Sequence, residues 1–139
     1  MIYFVIPEIP VGKERPRKGK FGMYTPKKTR NFEHRVKMYF KASYPRHKLI
    51  NKPISVRLMF YAPPPKNWSK KKKDLIIAKY TLPDLDNYIK AVLDGMNGAV
   101  YTDDRLVSQI TAAKFYCIKY GIQVWVNKLE DKFIVGFNE

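Results

Sequence analysis

Apolar and polar positions along the chain follow two periods, and the places where one gives way to the other mark the elements. Residues 1–9 (MIYFVIPEI) are dense in β-branched and aromatic side chains, as in an opening strand. Residues 10–24 lose that pattern, and Pro and Gly punctuate a loop carrying Lys13, Arg15, Arg17, Lys18 and Lys20. Thr25-Pro26 then opens a helix, with Thr25 as N-cap and Pro26 in the first helical position. Phe32, Val36, Tyr39 and Phe40 recur at helical spacing and give it one apolar face to about Ala42. Residues 54–62 (ISVRLMFYA) switch to strict alternation, and Pro63-Pro64-Pro65 ends that strand.

Beyond the prolines, Ser69 caps a short helix predicted to reach about Lys79. Pro83 disfavours helix at Leu82, so Asp84-Leu85-Asp86 is expected to be extended, with both carboxylates on one side and Leu85 turned to the core. Ile89, Val92, Leu93 and Met96 then mark a helix beginning near Asn87, capped by Asp86 or Asn87 and closed by Asn97-Gly98. Residues 107–119 and 122–128 read as two strands of a hairpin turning at Tyr120-Gly121. This order predicts a single α+β domain over residues 1–139, a mixed or mainly antiparallel sheet with helices packed on it.

Composition sharpens the picture in one respect. Lys and Arg number 27 against 12 Asp and Glu, a net charge of +15 in 139 residues. Such a field attracts polyanions, the footprint of a nucleic-acid binder that ribosomal-type packing proteins and membrane-surface proteins also share. A small domain buries proportionally less surface, so dimerisation would help it. Cys117 is the only cysteine, which excludes an intrachain disulfide; its apolar surroundings place it in the core. Neither a signal-peptide core nor a run of ~18 apolar residues occurs, so a cytoplasmic location is expected, with no membrane partner. The Lys70–Lys73 run serves either as a solvated face or as a phosphate contact. His34 and His47 stand isolated and are read as non-catalytic.

Against this charge stands an acidic island. Asp84, Asp86, Asp94, Asp103 and Asp104 fall within residues 84–104, opposed only by Lys90. Carboxylates repel a polyanion unless a cation sits between them. A hard cation such as Mg²⁺ takes oxygen ligands, using a few carboxylates together with substrate phosphate. Bound there, it would activate water and stabilise the displaced oxygen, and a nearby Lys would orient the water or stabilise phosphorane charge. Singly, the acids read as an N-cap, an i, i+4 partner of Lys90 and a turn. Together, in so basic a chain, they read as a metal site for cutting nucleic acid.

The string Pro83-Asp84-Leu85-Asp86-Asn87-Tyr88-Ile89-Lys90-Ala91-Val92-Leu93-Asp94, followed by Asn97-Gly98, Tyr101 and Asp103-Asp104, resembles the RusA family of Holliday junction resolvases. The Gly12-Lys13-Glu14-Arg15-Pro16-Arg17 loop and the final strand pair fit as well, so the resemblance covers nearly the whole chain. It implies a RusA-like fold and a homodimeric, Mg²⁺-dependent endonuclease, with Mn²⁺ as a substitute ion and no organic cofactor. Such an enzyme acts in DNA recombination and repair, nicking four-way DNA symmetrically in a bacterial cytoplasm, from a chromosomal or a phage gene. By motif position, Asp84, Asp86 and Asp104 (Asp103 as alternative) are metal-binding and catalytic, and Lys90 is the catalytic lysine. Asn87 and Asp94 support, with Asp94 fixing Lys90. Lys13, Arg15, Arg17, Lys18, Lys20, Lys27, Lys28 and Arg30 are expected on DNA phosphates, which gives affinity with little sequence readout. Two other readings remain. One is a non-catalytic basic nucleic-acid-binding protein. The other is a restriction-type metal nuclease, against which the helical position of Lys90 argues.

Overall fold

The computed structural model of the chain describes residues 1–129; the single-domain reading extends to residue 139, and 130–139 lie outside the described residues. Its centre is the alternating segment, strand β4 (Ile54–Ala62). Ile54, Val56, Leu58 and Phe60 are all at most 1 % exposed on one face, while Arg57 and Tyr61 stand on the other. β4 lies within a five-stranded mixed sheet of order β1-β7-β4-β6-β5. The remaining strands are β1 (Ile2–Ile6), β5 (Ile77–Ala78), β6 (Val107–Tyr116) and β7 (Gly121–Lys128).

β6 and β7 do not form the expected hairpin. They straddle β4, β6 parallel to it and β7 antiparallel, and the link between them crosses its end, where the Cys117 N–H donates to the Ala62 carbonyl at 2.8 Å. The reason lies in the side chains. β7 puts Val126, Val124 and Ile122 beside Val56, Leu58 and Phe60, so pairing these two strands buries an unbroken apolar surface. β6, with Ser108, Gln109 and Thr111 exposed, suits a place nearer the edge. Cys117 is correspondingly half-buried in that link rather than in the core.

Helices α1 (Lys27–Ser43) and α3 (Leu85–Met96) cover the apolar face of the sheet. They cross closely: a Cβ built on Gly95 would stand 2.7 Å from Val36 Cβ, so only glycine lets the two backbones approach this far. Phe32, Val36 and Phe40 are buried from α1, and Tyr88, Ala91, Val92 and Met96 from α3. Tyr88, which the periodicity did not single out, stacks on Phe60 at 5.0 Å. Among the described residues no helix is long and apolar enough to cross a membrane.

Three local expectations shift. Pro26, not Thr25, is the N-cap of α1, and its carbonyl accepts from the Arg30 N–H at 3.1 Å. Ser69 does cap its helix, accepting from the Lys72 N–H at 3.2 Å, but α2 spans only Lys70–Lys73. The β-branched pair Ile76-Ile77 follows too soon, and Ile77–Ala78 adds to the sheet edge against β6. The basic loop contains a hairpin that was not anticipated, β2 (Arg17–Gly19) paired with β3 (Gly22–Tyr24).

Candidate active site

Helix α3 starts two residues earlier than its apolar stripe suggests. Asp84 is the N-cap, with extended backbone (φ −63°, ψ 151°) and no capping bond from its side chain; its carbonyl accepts from the Asn87 and Tyr88 N–H groups at 3.1 and 3.2 Å. Leu85 and Asp86 therefore occupy the first helical turn, and Asp84-Leu85-Asp86 is not the extended triplet expected. Leu85 still packs on the core while both carboxylates are exposed. The helix N-terminus accounts for this start, because its free N–H groups and positive dipole end favour nearby carboxylates. Asp86 Oδ1 accepts from the Asn87 N–H at 3.0 Å.

From Asp86 a row runs along α3 at i, i+4 spacing through Lys90 to Asp94. Lys90 Nζ lies 3.3 Å from Asp94 Oδ1, and Asp94 Oδ2 lies 3.0 Å from Lys13 Nζ. Lys13 reaches Glu33 Oε2 of α1 at 2.9 Å as well, and its own N–H donates to the Asn87 carbonyl at 2.9 Å. The loop bearing Lys13 is thus pinned between α1 and the start of α3. Burial alone would lower the Lys13 pKa, but hydrogen bonds and charges from Glu33 and Asp94 outweigh it and raise the ammonium above its ordinary 10.5. Lys13, expected on phosphate, is here held by two carboxylates, and its side chain is only 16 % exposed. Glu33 is a member of this cluster that sequence reasoning missed.

After α3 the chain passes through buried Ala99, Val100 and Tyr101, whose hydroxyl donates to the Leu93 carbonyl at 2.7 Å and whose pKa burial raises. This anchor delivers Asp103 and Asp104 beside α3. Asp103 caps a 3-10 turn over Asp104–Leu106, accepting from the Arg105 N–H at 3.0 Å, with Arg105 Nε at 3.7 Å. That backbone bond holds the Asp103 carboxyl below its usual range. Asp104 moves the other way: burial, then a hydrogen bond shared with Asp103 and the charges of Asp103 and Asp94, raise its pKa, while Lys90 opposes. Asp104 is thus a carboxyl raised first by burial, within reach of the charges of Lys90 and Asp94.

Asp84, Asp86 and Asp104 offer only hard oxygen donors, so the donor set fits a divalent cation chemically. Among the described residues, however, no three His, Cys, Asp or Glu side chains converge on a point able to hold a metal. The structure brings Asp104 to Lys90 and Asp94, and leaves Asp84 and Asp86 at the exposed end of the same helix. Of the cations expected on DNA, Arg15, Arg17, Lys18 and Lys20 are exposed along the loop and hairpin, and Lys27, Lys28 and Arg30 at the start of α1. Arg17 also pairs with Glu14 at 3.3 Å. His47 donates its Nε2–H to the Val100 carbonyl (2.8 Å) and packs on Phe40, a structural place.

A mixed sheet with helices packed on its apolar face carries, in a strongly basic protein, a carboxylate-and-lysine row on one helix. The sequence profile of the RusA endodeoxyribonucleases matches residues 7–127. This chain belongs to the RusA endodeoxyribonuclease family. It is also 33 % identical over 138 residues to the uncharacterized protein YqaN of Bacillus subtilis (strain 168), covering 92 % of this chain and 96 % of that one.

Proposed function

We propose that this protein is a Mg²⁺-dependent, structure-specific endonuclease that resolves four-way DNA junctions by paired, symmetric nicks, in recombination and repair. The observation that carries the reading is the family match over residues 7–127, which spans the acidic residues between 84 and 104 and the basic residues between 13 and 30. Asp84, Asp86 and Asp104 would hold the ion, with Mn²⁺ able to replace it. A bound Mg²⁺ would supply Lewis acidity, neutralising the scissile phosphate and lowering the pKa of water. Lys90, held by Asp94, would orient the attacking water or steady charge on the phosphorane. Asp104 is favoured over Asp103 because Asp103 already spends its carboxylate on the 3-10 turn. Arg15, Arg17, Lys18, Lys20, Lys27, Lys28 and Arg30 would bind backbone phosphates. A homodimer suits the substrate, because a two-fold pair presents one site to each of two opposed strands of a pseudo-two-fold junction.

The experiment is cleavage of a synthetic four-way junction against linear duplex, with and without Mg²⁺. The reading expects paired nicks in the junction only with metal; equal rates on both DNAs would sink it. A second reading, a basic DNA-binding protein without catalysis, draws on the lack of three converging metal-ligating side chains among the described residues. Asp84→Asn separates the two. The nuclease reading expects cleavage lost and junction binding intact or stronger, since one repulsive charge is gone. Should the wild type cut no DNA structure with Mg²⁺ or Mn²⁺, the second reading stands.

A further inference from the structure

We infer that the β2–β3 hairpin is a base-stacking arm, and that Phe21 at its tip binds the open face of a nucleobase at the branch point of the DNA. The inference rests on the branched-DNA reading above and adds a site to it. Phe21 is 97 % exposed, Met23 66 % and Tyr24 49 %, so three large apolar groups crowd into one eight-residue element. A single exposed hydrophobe is ordinary; a cluster that packs on no core marks a contact. The cluster is interleaved with Arg17, Lys18 and Lys20, all exposed, and Lys20 Nζ stands 5.8 Å from the Phe21 ring centre. Aromatic faces set among cations are the surface on which single bases stack while phosphates are held alongside.

The hairpin is built to carry its tip outward. Lys20 and Phe21 form the turn between Gly19 and Gly22, and Gly22 takes the positive φ (106°) that closes it. Its three-residue strands pair only with each other. Such a ribbon is marginally stable by itself and can adjust to a partner. Its base, in contrast, is fixed. A Cβ on Gly12 would meet Pro83 at 2.7 Å, and Lys13 is tied by backbone and side chain to α3. The arm therefore leaves from beside Asp84 and Asp86. Phe21 lies eight positions beyond Lys13, a reach of at most ~28 Å.

The partner follows from the energetics of stacking. In continuous duplex both faces of each base are covered, and inserting a side chain costs a few kcal/mol of unstacking. In the open form that a four-way junction takes without divalent metal the stack is interrupted at the branch, so an aromatic ring gains a base face without that cost.

The test uses the full chain in EDTA, a four-way junction with 2-aminopurine at the branch point, and a linear duplex carrying the same base. Phe21→Ala should weaken junction binding by about ten-fold or more and leave duplex binding unchanged. The 2-aminopurine emission should change with wild type and Phe21→Trp but not with Phe21→Ala. Because Phe21 is 97 % exposed and packs on no core residue, the unfolding midpoint of Phe21→Ala should equal that of wild type. A wild type that prefers junction to duplex, with Phe21→Ala binding equally and giving the same emission change, overturns the arm and spares the nuclease reading. A wild type without preference for the junction overturns the branched-DNA reading itself. A Phe21→Ala that alters sedimentation but not DNA binding makes the tip a protein contact and overturns the proposal.

Discussion

Lys13→Met isolates the cluster that ties the loop to both helices. The substitution keeps an apolar stem of similar length and removes the ammonium, leaving Glu33 and Asp94, at 18 % and 19 % side-chain exposure, without the cation that bridges them, and Asp94 with Lys90 alone as its ion-pair partner. At ~3 Å and an effective dielectric of ~20, each attraction is about 5 kcal/mol before desolvation. Desolvation of all three groups cancels most of it. Breaking a fully buried pair costs ~3–5 kcal/mol and an exposed pair ~0–1, so this partly buried triad should cost about 2 kcal/mol. For a domain of this size that corresponds to a fall in Tm of roughly 6–10 °C.

The pH dependence gives a second readout. The Lys13 pKa is raised in the folded protein, so its stabilisation is fully present below the unfolded value of 10.5 and is lost as pH rises through the folded one. The gap in Tm between wild type and Lys13→Met should stay constant from neutral pH to about 9 and close above ~10.5. Thermal unfolding followed by circular dichroism across that range measures it. Equal midpoints at pH 7, together with a junction-binding salt slope lowered by about one, would return Lys13 to the phosphate contacts and refute the triad.

Two further perturbations test other parts of the structure. Gly95→Ala would gain up to ~1 kcal/mol of helix propensity, yet its Cβ would meet Val36 Cβ at 2.7 Å. A net loss of about 1 kcal/mol is expected, relieved in part by Val36→Ala; a stabilised Gly95→Ala would mean that the helices are not so close. Asp104→Asn removes a carboxyl whose pKa is raised by burial and by Asp103 and Asp94. Metal-free Tm should hold or rise while cleavage is lost, and the Tm gain that Mg²⁺ gives the wild type should vanish, so a variant still stabilised by Mg²⁺ would remove Asp104 from the ion's ligands.

The elements were legible where one period ran long enough. The alternation of residues 54–62 marked the central strand, and the stripes Phe32–Phe40 and Ile89–Met96 marked the two packed helices. What alternation does not encode is partnership. Nothing local in residues 107–128 distinguishes a hairpin from two strands flanking a third; the choice depends on β4, some fifty residues earlier, offering β7 the better-matched apolar face. The hairpin at 17–24 escaped for the opposite reason: its strands are three residues long and bury nothing, so no hydrophobic pattern exists to read.

The acidic row divides in the same way. Lys90–Asp94 was visible because helical spacing is local, and the pair is there at 3.3 Å. The start of α3 was misplaced because an apolar stripe records only where a helix packs. Asp84 and Asp86 belong to its unpacked first turn, where the free N–H groups rather than the core reward an acid. The carboxylate partners of Lys13 were not legible because a lysine in a basic loop carries no local sign of them. Glu33 lies 20 residues away and Asp94 far beyond it, and only the crossing of α1 and α3 brings them together. That crossing depends on Gly95 against Val36. A glycine with no chemistry of its own thus sets how close the acids that hold Lys13 stand. Asp94, which Lys90 reaches along its own helix at 3.3 Å, is thereby also joined to Lys13 across the crossing.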